Sequence, residues 1–135
     1  MSELNSVKIV GAGLIGTSIG LALTRKDVQV WLEDNSQTNL RLAIEYGAGS
    51  DSSQESPELV IVCLPPDKTA AQIAIELESH PDAIVTDVAS VKGSVLEELK
   101  KITTDTSRYI GGHPMAGRER GGAIAAQADL FFARP

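Results

Sequence analysis

The chain has 135 residues, with 12 Lys and Arg against 18 Asp and Glu and a net charge of −6. That length suits one domain with a core of its own. The acidic balance argues against a nucleic-acid partner, which would want a basic face, but not against a small anion held by a local cluster of backbone N–H groups. Cys63 is the only cysteine, so no intramolecular disulfide can form, which suits a reducing, cytoplasmic setting. Met1 to Val7 lacks the charged-then-apolar order of a signal peptide. Ile9 to Thr24 is uncharged, yet it is short for a membrane span and carries four glycines. It reads as strand, tight loop and buried helix, and no membrane partner is expected.

Taken in order, Val7–Val10 predicts a short buried strand. A glycine-rich turn and an apolar helix to about Arg25 follow. Val28, Val30 and Leu32 alternate as a second strand. Ser36 to Tyr46 has helical periodicity through Leu40, Ala43 and Ile44, with Gly47 as its C-cap. Ala48 to Pro57 is polar and predicts a short strand plus loop. Leu59–Leu64 is a continuous apolar run, as in a central parallel strand buried on both faces. Pro65 and Pro66 stop it. Asp67 to Glu78 predicts a helix with Ala70, Ile73, Ala74 and Leu77 on one face. Ala83–Thr86 predicts a strand. Val91 to Ile102 predicts an amphipathic helix with Val95, Leu96, Leu99 and Ile102 inward. Tyr109–Gly112 predicts a short strand, Ala123 to Ala128 a helix and Leu130–Ala133 a last strand. There is no internal repeat, low-complexity tract or linker.

This alternation predicts an α/β fold: a doubly wound, mainly parallel sheet of the Rossmann type with helices on both faces. Such sheets bind ligands outside the carboxyl ends of their strands. The sharpest motifs fall at those ends. Gly11-Ala12-Gly13-Leu14-Ile15-Gly16 matches G-x-G-x-x-G between a strand and a helix. Gly11 permits the tight turn, Gly13 lets a pyrophosphate approach the backbone, and Gly16 lets the helix pack closely on the strand. The helix start at Leu14 and Ile15 adds free N–H groups and a partial positive charge. Asp34, with Glu33 as its rival, ends the second strand where an acid accepts bonds from the adenosine ribose. An acid there repels a 2′-phosphate and so favours NAD over NADP. Otherwise the pair is two solvated charges at a strand end.

Pro65 and Pro66 need only terminate a strand and start a helix. Their turn could also wall the nicotinamide side of the cleft. Ser90, in Asp87-Val88-Ala89-Ser90-Val91-Lys92, is placed as an N-cap, and its hydroxyl could instead face the cleft. His113 leaves a strand at the carboxyl edge. It is followed by Pro114, which biases it to an extended backbone, and it carries the side chain best suited to take a proton near neutral pH. His80, before Pro81, reads as solvent-exposed, and Cys63 as core. No metal site is expected.

GAGLIGTSIGLAL (Gly11 to Leu23), TDVASVKG (Thr86 to Gly93) and GGHPMAGRERGG (Gly111 to Gly122) together resemble the prephenate dehydrogenases and the related arogenate dehydrogenases of tyrosine biosynthesis. The first motif is common to many dehydrogenases; the last two, in this order and spacing, are far more specific. The resemblance implies that residues 1–135 are the NAD-binding half of such an enzyme. It implies a helical C-terminal domain, absent from this sequence, which makes the homodimer and supplies an arginine for the substrate carboxylate. It implies an oxidative decarboxylation, with His113 taking the proton of the substrate's 4-hydroxyl and Ser90 bridging hydroxyl, histidine and nicotinamide. Lys92 and Glu119 match motif positions without a firm role. Contacts separating prephenate from arogenate would lie largely in the other half. Two further readings compete: an NAD-binding module without turnover, and another Rossmann dehydrogenase such as a hydroxyacid or imine reductase. The Ser90–Lys92 and His113–Gly117 motifs count against the latter.

Overall fold

The computed structural model describes residues 4–51, 56–88 and 94–111. Among the described residues five strands form one sheet: β1 (Ser6–Val10), β2 (Gln29–Glu33), β3 (Leu59–Val62), β4 (Ile84–Asp87) and β5 (Tyr109–Ile110). Their order is β2-β1-β3-β4-β5 and every neighbouring pair is parallel. Four helices join them: α1 (Leu14–Thr24), α2 (Gln37–Tyr46), α3 (Pro66–Ser79) and α4 (Ser94–Ile102).

The sheet is buried on both faces, which explains the unbroken apolar runs. Val7, Ile9, Val30, Leu32, Leu59 and Ile61 share one core with Ile19 and Leu23 of α1 and Ala43 of α2. Val10, Val60, Val62 and Val85 share a second core with Ala70, Ile73 and Leu77 of α3 and Val95 and Leu99 of α4. Alternation along each strand sends successive side chains into different cores.

The helix ends follow from local chemistry. Ser36 Oγ accepts the Asn39 amide and caps α2, and Gly47, at φ +91°, closes it in the left-handed conformation. Pro66 is the first residue of α3, where its missing N–H costs nothing. Among the described residues the expected strand after Ala48 is a single bridge. Ser50 accepts from Leu32 at 2.8 Å and donates to Val30 at 3.0 Å, opposite Trp31. Polar Ser50 and Asp51 offer no apolar alternation to extend it. Ile102 is also corrected: it is 53% exposed, because Val95 and Leu99 already fill the buried stripe and Ile102 is the last residue of its helix.

His80 is not a solvent-exposed turn residue. Its ring turns in, with Nε2 3.5 Å from Glu76 Oε1. Glu76 is 1% exposed and accepts from Lys8 Nζ at 2.9 Å and from Gln72 Nε2 at 2.7 Å. Lys8 Nζ also meets Glu33 Oε1 at 2.9 Å. Burial pulls the Lys8 pKa down, but its bonds to Glu33 and Glu76 outweigh that and leave it above the ordinary lysine value. Sequence reasoning missed this network: a lysine in a buried strand is a signal that it is paired, but not with which acid.

Arg108 ties the start of β5 to the end of α3. Its guanidinium donates to the carbonyls of Leu77, His80 and Ala83 at 2.6–3.0 Å. Arg108→Ala leaves carbonyls at the helix end without their charged donor. It is expected to cost about 2 kcal/mol, read as a lower urea midpoint at unchanged m value.

The expected helix at Ala123–Ala128 and strand at Leu130–Ala133 lie outside the described residues, as do Gly112 of the fifth strand and residues 91–93 of the fourth helix.

Candidate functional site

In an open parallel sheet the ligand crevice forms at the carboxyl edge, where strand order reverses. Here the reversal falls between β1 and β3. β1 leads across to β2 on one side, while β3 continues to β4 on the other. The loops after β1 and β3 meet at that edge. Gly11 N–H donates to the Glu33 carbonyl at 2.7 Å, and Cys63 N–H donates to the Val10 carbonyl at 2.7 Å.

The three glycines of the loop differ in what surrounds them. Gly11 has φ +106°, and a Cβ there would sit 2.2 Å from the Cys63 carbonyl oxygen. A Cβ on Gly16 would fall 1.9 Å from the Gly11 carbonyl oxygen and 3.3 Å from Ile9 Cγ2. Both positions are filled by the protein's own backbone. Around Gly13, its chain neighbours aside, no atom of the described residues lies within 4 Å of such a Cβ. The open space is therefore confined to the middle glycine, at the mouth of α1.

Gly13 is also the N-cap of α1 and offers no side-chain acceptor. Among the described residues nothing accepts from the amides of Leu14 and Ile15. These donors and the positive end of α1 face the free space, so the backbone fits a bound pyrophosphate. Leu14 is 85% exposed, whereas Ile15 packs against the α1–α2 core.

The two acids at the end of β2 are held differently. Asp34 Oδ2 accepts the Ala12 amide of the glycine loop at 2.6 Å, and its Oδ1 accepts the Ser36 amide at 2.7 Å. Asp34 thus joins the loop to the start of α2. Glu33 is turned toward Lys8. The link from Asp34 to Ala12 was missed by sequence reasoning, since no local pattern indicates which amide a strand-end carboxylate reaches.

Pro65 caps α3 and is exposed, beside the Cys63 turn. Burial pushes the Cys63 thiol up to about 12, with the charge of Asp87 adding to the effect. At neutral pH this sulfur is a thiol and no nucleophile. No cluster of His, Cys, Asp or Glu among the described residues could hold a metal ion. No helix among them is long and apolar enough to cross a membrane.

Ser90, Lys92, His113 and Glu119 lie outside the described residues. The strands that lead to Ser90 and His113 are described. β4 and β5 are neighbours and run parallel, pairing Val85 with Tyr109 and Thr86 with Ile110. Both therefore finish at the carboxyl edge. At that edge Asp87, 2% exposed, accepts from the Tyr109 hydroxyl at 2.7 Å.

Free space over a helix start, at the point where a doubly wound parallel sheet reverses its order, defines a nucleotide-binding domain of the Rossmann type. Residues 19–135 match the family model for the nucleotide-binding domain of prephenate dehydrogenase. The chain belongs to that family. It is 40% identical over 133 residues, 98% of its length, to a probable prephenate dehydrogenase, NovF, of Streptomyces niveus. Its fold matches a crystal structure of prephenate dehydrogenase from A. aeolicus in complex with hydroxyphenyl propionate and NAD+, with a TM-score of 0.69 and 30% identity over 87% of this chain and 44% of that one. It also matches Synechocystis arogenate dehydrogenase, with a TM-score of 0.70 and 29% identity over 84% of this chain and 42% of that one. The chain spans 37% to 49% of the length of the curated relatives it matches.

Proposed function

We propose that this chain is the NAD-binding half of a prephenate or arogenate dehydrogenase. The observation that carries the proposal is the free space over Gly13 beside the open amides of α1, in a chain of this family. Gly11, Gly13, Leu14, Ile15 and Gly16 form the pyrophosphate seat. Asp34 faces the adenosine ribose, and Pro65 stands toward the nicotinamide. Bound NAD would supply the acceptor for the hydride that leaves C4 of the cyclohexadienol. The ring carboxylate leaves as CO₂ and the ring aromatises. His113 takes the proton of the 4-hydroxyl as carbonyl character grows there, and Ser90 holds that hydroxyl in line. Aromatisation supplies most of the driving force, so the protein needs mainly orientation and one proton acceptor. The product belongs to tyrosine formation in the cytoplasm. The substrate carboxylate is gripped, and the homodimer is made, by a helical domain of the kind that would account for the relatives' additional length.

The test is NADH formation with prephenate and with arogenate, by this chain alone and fused to a helical C-terminal domain of a related enzyme. Activity is expected in the fusion, with little or none in the chain alone. A fusion that binds NAD yet oxidises neither substrate would remove the assignment.

Cofactor choice gives a second expectation. Asp34→Ser should lower the preference for NAD over NADP about tenfold, by losing a charge-assisted acceptor and a repulsive charge. It should also weaken both cofactors, because Asp34 holds the Ala12 amide of the loop. Glu33→Ser should leave the preference intact. Affinities from titration calorimetry would decide, and a shift with Glu33→Ser alone would make Glu33 the ribose acid.

A further inference from the structure

The carboxyl ends of β4 and β5 carry a polar pair that the proposed chemistry does not use. Asp87 is the last residue of β4 and is 2% exposed. Tyr109 opens β5 opposite Val85, so Tyr109, Val85 and Asp87 share the face that packs on α3 and α4. From there the Tyr109 hydroxyl reaches diagonally forward to Asp87 Oδ1 at 2.7 Å, beyond the last paired residues. β5 is only two residues long and shares two register pairs with β4. Main-chain bonds alone therefore fix the relative placement of the two ends poorly.

The same hydroxyl lies against the backbone that continues from β5, for a Cβ on Gly111 would stand 3.6 Å from it. Burial and the Asp87 carboxylate hold the Tyr109 phenol well above the ordinary tyrosine range, so the proton stays on the donor. A buried carboxylate costs more than an apolar pair would in the same place. What it adds is direction, since the bond forms at one distance and one angle.

We propose that Asp87 and Tyr109 are a positioning pair. Their bond sets the ends of β4 and β5, from which the chain reaches Ser90 three residues on and His113 four residues on. The inference rests on the reading of Ser90 and His113 given above. Neither Asp87 nor Tyr109 needs to touch substrate or cofactor.

The chain has two histidines, so its imidazole NMR signals are few, and His80→Gln assigns them. The limiting His113 shifts, well below and well above its titration, are compared in the free wild-type chain and three variants. Tyr109→Phe, which deletes the donor, is expected to displace them by several linewidths. Asp87→Asn, whose amide oxygen still accepts from the tyrosine, is expected to keep them near wild type. Leu99→Ala, a core change in the cluster that Tyr109 packs against but with no part in the hydroxyl–carboxylate bond, should lower Tm and leave them in place. Unchanged His113 shifts in Tyr109→Phe would overturn the proposal, and so would an equal displacement in Leu99→Ala. These measurements need neither cofactor nor substrate. Adding NADH to the wild-type chain tests the parent reading separately: a silent His113 signal would count against the catalytic assignment while the free-chain comparison still reports on the pair.

Discussion

Gly13→Val is expected to abolish measurable NAD binding while the chain keeps its thermal transition. The two outcomes separate because Gly13 differs from its neighbours. Its φ of −80° and ψ of −156° are open to any L residue. Among the described residues, its chain neighbours aside, no atom lies within 4 Å of the position a Cβ would take, so the valine side chain meets none of them. It would occupy the space assigned to the pyrophosphate and screen the amides of Leu14 and Ile15. Losing those charge-assisted bonds and the close approach should weaken binding by two orders of magnitude or more, about 3 kcal/mol. Gly16→Val makes the complementary case. Its Cβ would collide with the Gly11 carbonyl at 1.9 Å, so that variant should lose the fold as well as the ligand. Titration calorimetry paired with thermal melts distinguishes them. Unchanged NAD affinity in a folded Gly13→Val chain would mean that the pyrophosphate lies elsewhere.

His113→Ala is expected to lower kcat about 10²–10⁴-fold in the fused, active protein, the range for removal of a general base. NAD affinity should change little, because the role proposed for His113 is on the substrate hydroxyl and not on the cofactor. Ser90→Ala should be less damaging, since a bridging hydroxyl orients the reacting groups but does not take the proton. The kcat profile should lose its acidic limb in His113→Ala, because the neutral imidazole required at low pH is gone. Steady-state kinetics across pH measures all three effects. A His113→Ala protein with full turnover would show that another group accepts the proton.

The sheet, its helices and the glycine loop were legible in the chain because each rests on short-range rules. Apolar runs such as Leu59–Val62 have the length of a doubly covered strand. Ser36 and Gly47 mark α2 by capping chemistry that acts within a few residues. The duties expected of Gly11, Gly13 and Gly16 follow from fingerprint spacing, and backbone crowds the first and last of them. Motif order carries the family resemblance, because the spacing of TDVASVKG and GGHPMAGRERGG is itself a sequence property. Where long-range contacts decide, the chain was silent or misleading. His80, read as a surface turn residue, is a different case: Glu76 lies only four residues back at the end of the same helix, 3.5 Å from its ring, so that contact was within local reach. Lys8 gave no hint of its partners, which lie 25 and 68 residues away on β2 and α3. Asp87 stood in a recognised motif without a role until β5 set Tyr109 beside it. Residue types and spacings thus determined the fold class, the glycine loop and the family. Only the tertiary structure decided which acid anchors the loop, which charges are buried together, and how the two strand ends are joined. Those are contacts between segments distant in sequence, and no local propensity or period encodes them.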